Sequence, residues 1–196
     1  MALEFYVEQA DRSPRSAVAN ESIYAGELVH DDGDGLDVLT YAETDEDAGG
    51  HVGLARYDTE AMAAEWDEDI VDESYATDQR CQYHPFEGSA RVRIRTPEDN
   101  GTDPAPSIDH QTVVGVIDAA GGTASSASEF QGRVVEEGYT DGAGTPTTYD
   151  RSSDNFKAVG VAYRPENVPT PVAGSQADSF DYPVRVELFS DLKEDA

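Results

Sequence analysis

"GELVHDDGDGLDVLTYAETDEDAGGHVGLARYD", Gly26 to Asp58, and "GRVVEEGYTDGAGTPTTYDRSSDNFKAVGVAYR", Gly132 to Arg164, say nearly the same thing twice. Gly26-x-Leu28-Val29 matches Gly132-x-Val134-Val135, and Val52-Gly53-Leu54-Ala55 matches Val159-Gly160-Val161-Ala162. The physical content is a strand, a turn, a second strand, and then a strand whose glycine lets another backbone come close. In the first copy "DDGDG" supplies the Asp and Gly residues of a tight turn. "VVGVID" at 113–118 is a weaker third echo without a clear first half. Two copies are too few for a solenoid, so the expectation is two strand units meeting about a pseudo-twofold in one core.

Outward from the repeat, the chain keeps a β pattern. "SIYAGELVH", "GLDVLTYAE" and "HVGLARY" come first; "RCQYHPF", "SARVRIRT", "TVVGVIDA", "GRVVEEG", "PTTYD", "FKAVGVAYR" and "YPVRVELF" follow. Clusters of Gly, Pro, Asn and Asp separate them, as in an all-β sandwich or barrel. Eighteen valines against twelve leucines and isoleucines agree with that preference. One helix is expected at about 59–73, where Met62, Trp66 and Ile70 recur at helical spacing behind Asp58 or Thr59 as N-cap. Its predicted task is to cover one end of the β core. At the front, Leu3, Phe5 and Val7 alternate with polar residues, and "ADRSPRSAVANES" after them has no period. The predicted organisation is an extended arm over 1–20, one β domain over 21–190 with pseudo-repeats at about 23–57 and 130–164, and an acidic tail at 191–196. The arm is expected to leave the globular body and add its apolar strip to another chain's sheet edge.

Forty-one acidic residues stand against thirteen basic ones, a formal charge of −28, and only Lys157 and Lys193 are lysines. Leu, Ile, Val and Phe number 36 of 196 residues, a low share, yet they sit in patterned runs and so predict a folded chain. This composition suits high salt: near ~3 M the screening length falls to ~2 Å and acidic self-repulsion nearly vanishes. It excludes nucleic acid as a natural partner, since phosphate binding needs clustered Lys and Arg. The one basic cluster is "RVRIR". Alternation predicts Arg91, Arg93 and Arg95 on one strand face, paired with surrounding carboxylates or docked on an acidic partner, with Val92 and Ile94 opposite. No charged-then-apolar segment opens the chain and no apolar run reaches membrane-spanning length, which predicts neither signal peptide nor anchor. The sequons at Asn20 and Asn100 are then chance matches, and the protein stays in the cytoplasm or leaves as part of something larger.

Catalytic and metal-binding patterns fail when tested. "HDDGDGLD" and "PEDNGTD" resemble calcium loops, but no register places ligands at both the first and twelfth positions. These turns are expected to hold salt cations loosely at most. Cys81 and His84 form a lone Cys-x-x-His, two ligands short of a zinc site. A single cysteine also excludes an internal disulfide. "GAGTPTT" at 142–148 has no Gly-Lys-Ser/Thr end, and no Gly-x-Ser-x-Gly elbow frames a nucleophile. With forty-one acids, any carboxylate pair suited to glycoside hydrolysis is uninformative. The expectation is no enzyme, no cofactor and no metal site.

One family fits what remains. "F-x-G-R-V-V…T-T-Y-D…F-K-A-V-G-V-A-Y…Y-P-V-R-V-E-L-F" resembles the capsid cement, or head-decoration, proteins of tailed viruses. The matching parts are Gly132 to Val135, Val159 to Ala162 and Val184 to Leu188. The family's earlier "GLVGVA" strand and "EG" strand pair look like Val52 to Ala55 and Glu87-Gly88 with "SARVRIR". The expected helix and the stretch 97–130 depart from the pattern, and the acidity points to a virus of halophilic archaea. The resemblance implies a small β protein, commonly trimeric, on the outer capsid surface of a virion assembled in the host cytoplasm. It implies the major capsid protein as partner, no membrane, and a stabilising role without catalysis. A turret, tail or other surface β module mediating attachment is the alternative. Expected capsid or subunit contacts are Leu3, Phe5 and Val7 of the arm, Arg91, Arg93 and Arg95, and Val168, Pro169, Pro171 and Val172 of the Pro-rich loop 165–179.

Overall fold

The computed structural model describes residues 7–9, 13–44, 50–56, 74–86, 90–97, 101–119, 129–142, 144–163 and 184–189. The expected helix at 59–73, the tail at 191–196, Leu3, Phe5, and the loop with Val168, Pro169, Pro171 and Val172 lie outside the described residues. What is described is nearly all β. In chain order the strands are β1 (Val7–Gln9), β2 (Arg15–Val18), β3 (Ile23–Tyr24), β4 (Leu28–Asp31), β5 (Leu36–Val38), β6 (His51–Ala55), β7 (Ser74–Tyr75) and β8 (Arg80–Pro85). After these come β9 (Arg91–Ile94), β10 (Val113–Ile117), β11 (Val135–Glu136), β12 (Tyr139–Thr140), β13 (Thr148–Tyr149), β14 (Phe156–Ala162) and β15 (Val184–Leu188). Every apolar run singled out in the sequence from Ser22 onward contains one of them.

Two larger sheets carry the architecture. One has the order β2-β8-β6-β4-β5 and the other β1-β9-β15-β14-β10-β11; β3–β7 and β12–β13 are separate pairs. Without β1, the second sheet repeats the first strand for strand, in the same chain order and all antiparallel: β9 stands where β2 does, β15 for β8, β14 for β6, β10 for β4, β11 for β5. The register repeats too. Leu28 faces Leu54 and Val29 faces Gly53; Val113 faces Val161 and Val114 faces Gly160. Gly26 N donates to Ala55 O and Ala55 N to Glu27 O, as Gln111 N donates to Ala162 O and Ala162 N to Thr112 O. Gly26 and Gln111 share a positive φ, 88° and 66°. Phe86 N donates to Val52 O as Phe189 N does to Val159 O.

The duplication therefore runs over the sheets of residues 15–85 and 91–188, not over 23–57 and 130–164. The Gly53 and Gly160 strands are equivalent, as the sequence match has them. Gly132 to Val135 is not the counterpart of Gly26 to Val29; the weak echo at 113–117 fills that place. β11, which follows Gly132 to Val134, is the outer strand beside β10 and does not touch β14, whereas β4, which follows Gly26, pairs directly with β6. The glycines meet a steric demand. A Cβ on Gly53 would come within 2.6 Å of His84 O, and one on Gly160 within 2.5 Å of Glu187 O. Gly115 is crowded in the same way by Lys157 O and the Phe156 ring. Beside it the register slips between Val114 and Gly115, a bulge that leaves Val159 over.

Each sheet curls until its ends touch. Asn20 N donates to Leu36 O, joining the end of β2 to β5, and Val134 N donates to Arg95 O, joining the end of β9 to the start of β11. The first curl encloses Ile23, Val29, Leu36, Tyr75, Cys81 and Tyr83. The second encloses Val92, Ile94, Val114, Val184 and Val186, and its mouth is filled by Leu28, Leu39, Val52 and Leu54 from the outer face of the first sheet. The sheets thus stack head to tail, outer face of one into inner face of the other, rather than about a twofold. A third cluster (Ile117, Phe130, Tyr139, Tyr149 and Phe156 among it) lies where the β12–β13 pair covers one end of the second sheet's outer face.

The arm does not leave the body where it is described. β1 pairs with β9, Val7 opposite Val92, and β2 pairs with β8 along its length. Ala19 is fully buried. The lack of period over 10–22 misleads because an edge strand is held by main-chain hydrogen bonds, and only small Ala17 and Ala19 turn toward the core.

Candidate functional site

Where the two sheets meet, the apolar contact gives way to charge. The variable residue of "GELV" is Glu27 and that of "GRVV" is Arg133, and they pair with each other: Arg133 Nε lies 3.2 Å from Glu27 Oε1. Glu27 is 4% exposed. Its other oxygen accepts from Tyr24 N at 2.8 Å. Main-chain bonds lock the place, Leu28 N to Gly132 O at 2.7 Å and Gly132 N to Leu39 O at 2.8 Å. Gly132 has φ 67°, and a Cβ there would strike Val38 and Leu28 O. Arg95 completes the joint. Its N donates to Gly26 O, its Nε donates to Ala25 O at 2.5 Å, and its guanidinium lies 5.3 Å from the Tyr24 ring, with that of Arg133 at 6.0 Å. Burial pushes the Glu27 carboxyl above its ordinary 4.5, against the pull of Arg133, Arg95 and the Tyr24 amide.

This corrects the reading of "RVRIR". Arg95 is 1% exposed, so it is not a surface partner of Arg91 and is not placed to touch a capsid or a neighbouring copy. β9 ends at Ile94, and the chain turns inward there to close the curl. Arg91 remains outside, 3.3 Å from Glu187 in an exposed pair. Arg93 lies opposite Arg185 in register. The outer face of β14, β15 and β9 so carries the row Val161–Glu187–Arg91 and, beside it, Tyr163 and Arg185. Among the described residues the exposed large apolar side chains are Val18, Tyr163 and Phe189, and the last two lie on this face. His110 meets Tyr163 edge-on, ring centres 5.5 Å apart.

Other candidates are structural. Cys81 and His84 stand three apart on β8 and face opposite sides, so the pair cannot share a metal. Asp103 and Asp141 are buried, but their carboxylates are used: Asp103 accepts from Gly142 N at 3.1 Å, and Asp141 from Thr147 N at 2.9 Å and the Tyr149 hydroxyl at 3.1 Å. The Tyr139 hydroxyl, which donates to Pro104 O, is pushed up by burial and by the charges of Asp103, Glu136 and Asp141. The "DDGDG" carboxylates of Asp31 and Asp32 hold their own turn through Gly33 N and Asp34 N. Asp31 also takes the Tyr83 hydroxyl, which burial and that carboxylate push up to about 12. Among the described residues no group of three His, Cys, Asp or Glu is placed to hold a metal ion.

No protein-family model matches the sequence, and no curated protein matches it.

The surface of β14, β15 and β9 is thus the candidate site. Sequence reasoning pointed to the β9 strand of this face through Arg91, and missed Tyr163, Phe189 and the Glu27–Arg133 joint. A signal for the joint was present: the one freely varying position of the two matching motifs carries opposite charges.

Proposed function

We propose that this chain is a structural virion protein that binds the outside of a tailed-virus shell and stabilises it, in a virus of a salt-rich host. One observation carries the reading: a compact double β unit, cross-braced by a buried ion pair, leaves a face with Arg91, Tyr163 and Phe189 exposed on a molecule of charge −28. Tyr and Arg are the residues that concentrate at protein interfaces, whereas Glu and Asp are depleted there. The resemblance of the strand motifs to cement proteins supplies the partner class, the major capsid protein, and the trimer as the assembled form. Three copies around a local threefold would multiply each weak contact. The test is addition of purified chain to shells of the major capsid protein encoded in the same genome, in multimolar KCl. Binding at fixed stoichiometry, with shells that rupture at a higher temperature, is expected. Shells that neither bind the chain nor gain heat resistance would refute the proposal.

A further inference from the structure

The duplication assigns a task to the exposed face. On the first sheet the outer face buries Leu28, Val52 and Leu54, with the following Phe86 half-buried against them, because the second sheet sits on it. The equivalent face of the second sheet has Val113 and Val161 in place of Leu28 and Leu54, and Phe189 in place of Phe86. There the β12–β13 pair covers the end near Ile117 and Phe156, while Tyr163 stays 49% and Phe189 38% exposed. In a head-to-tail stack the last outer face is a repeat of an interface already used within the chain.

From this the geometry points to the face of Val161, Tyr163 and Phe189, flanked by Arg91 and Arg185, as the surface that seats a different protein, one offering an apolar hollow edged with carboxylates. It rests on the reading as a capsid-binding protein and names the surface and the chemistry that reading needs. Tyr163 lies opposite Arg185 in the β14–β15 register and Phe189 follows Leu188, so the two aromatics stand roughly 13 Å apart along the strands. Glu187 lies between the two aromatics and pairs with Arg91, so with Arg185 the patch offers two anchors and two arginines to one carboxylate on a molecule of charge −28. Among the described residues a second copy has no empty hollow of the required kind. Its first curl is filled by Ile23 and Tyr75, and its second by its own Leu28 and Leu54. A partner from the same salt is acidic itself. Two such surfaces approach closely only where one of them carries arginine.

The experiment compares wild type with Tyr163→Asp, Phe189→Asp and Arg91→Glu for occupancy on the same shells, with Val18→Asp, exposed on the first sheet, as control. Melting temperatures of the free chains check folding. Each of the three variants should lose about tenfold or more in affinity, with melting and self-association as in wild type, and Val18→Asp should bind as wild type does. Wild-type binding with Tyr163→Asp and Phe189→Asp bound equally well overturns this inference alone. Loss of self-association with occupancy kept assigns the face to a second copy and overturns it too. Failure of wild type to bind overturns the capsid reading, and this inference with it.

Discussion

Replacing Arg133 by methionine isolates the joint between the sheets. The substitution keeps most of the side-chain length, so the apolar contacts survive while Glu27 loses its counter-charge. Breaking a buried pair from one side costs about 3–5 kcal/mol. Arg95 still faces Glu27, and Arg133 is 13% exposed, so about 2–3 kcal/mol is expected at pH 7. For a chain of this size that lowers the melting temperature by roughly 4–12 °C. The pH dependence gives the sharper test. The Glu27 carboxyl titrates above 4.5 when folded, so the folded state holds its proton more tightly than the unfolded one. Its contribution is fully present below 4.5 and lost as pH rises through the folded value. Removing Arg133, the largest influence lowering that value, raises it further, so the variant loses more on ionisation than wild type. Urea unfolding in 3 M KCl should therefore show a small deficit at pH 4 that grows toward pH 7, and Glu27→Gln should recover part of it in the Arg133→Met background. The exposed Arg151–Glu137 pair, bidentate at 2.8 Å, is the control, with a cost of about 1 kcal/mol or less. A deficit equal at both pH values, or larger at pH 4, would refute the reasoning.

Three further outcomes follow from the fold. Gly53→Val and Gly160→Val should each destabilise by about 2–4 kcal/mol because the added carbons meet main-chain oxygen; chemical denaturation checks this, and tolerance at either site contradicts the close approach of the strands. Deleting residues 1–20 should unfold the first sheet, since β2 and buried Ala19 go with it, and circular dichroism of the truncated chain should show lost β signal rather than an intact body. The melting temperature should climb steadily from low salt to multimolar KCl as carboxylate repulsion is screened, and indifference to salt would refute adaptation to high salt.

The all-β class and most strand positions were legible because a valine-rich run bounded by glycine and aspartate has few other solutions. The repeat was legible only in part. "VGLA" and "VGVA" match because a glycine under a neighbouring backbone tolerates no substitute, and they occupy the equivalent central strands β6 and β14. "GELV" and "GRVV" match for another reason: each is a glycine turn at the seam, and the two lie against one another. The true counterpart of "GELV" is "QTVV" at 111–114, where Gln111 adopts the positive φ that glycine has at 26. Hydrophobicity cannot display that equivalence; hydrogen-bond register does. Arg95 escaped the alternation rule because a strand's period ends with the strand, one residue before it. β2 escaped for want of large apolar residues, and Tyr163 and Phe189 because a single aromatic after a strand looks the same whether it is covered or bare.

The most direct measurement is a cryo-electron microscopy map of shells carrying the chain, at a resolution that places side chains. The account predicts Tyr163 and Phe189 seated in the capsid protein, with Arg91 opposite carboxylates, and the first sheet turned away. A map with that face open to solvent, or closed by a second copy of the chain, would contradict it.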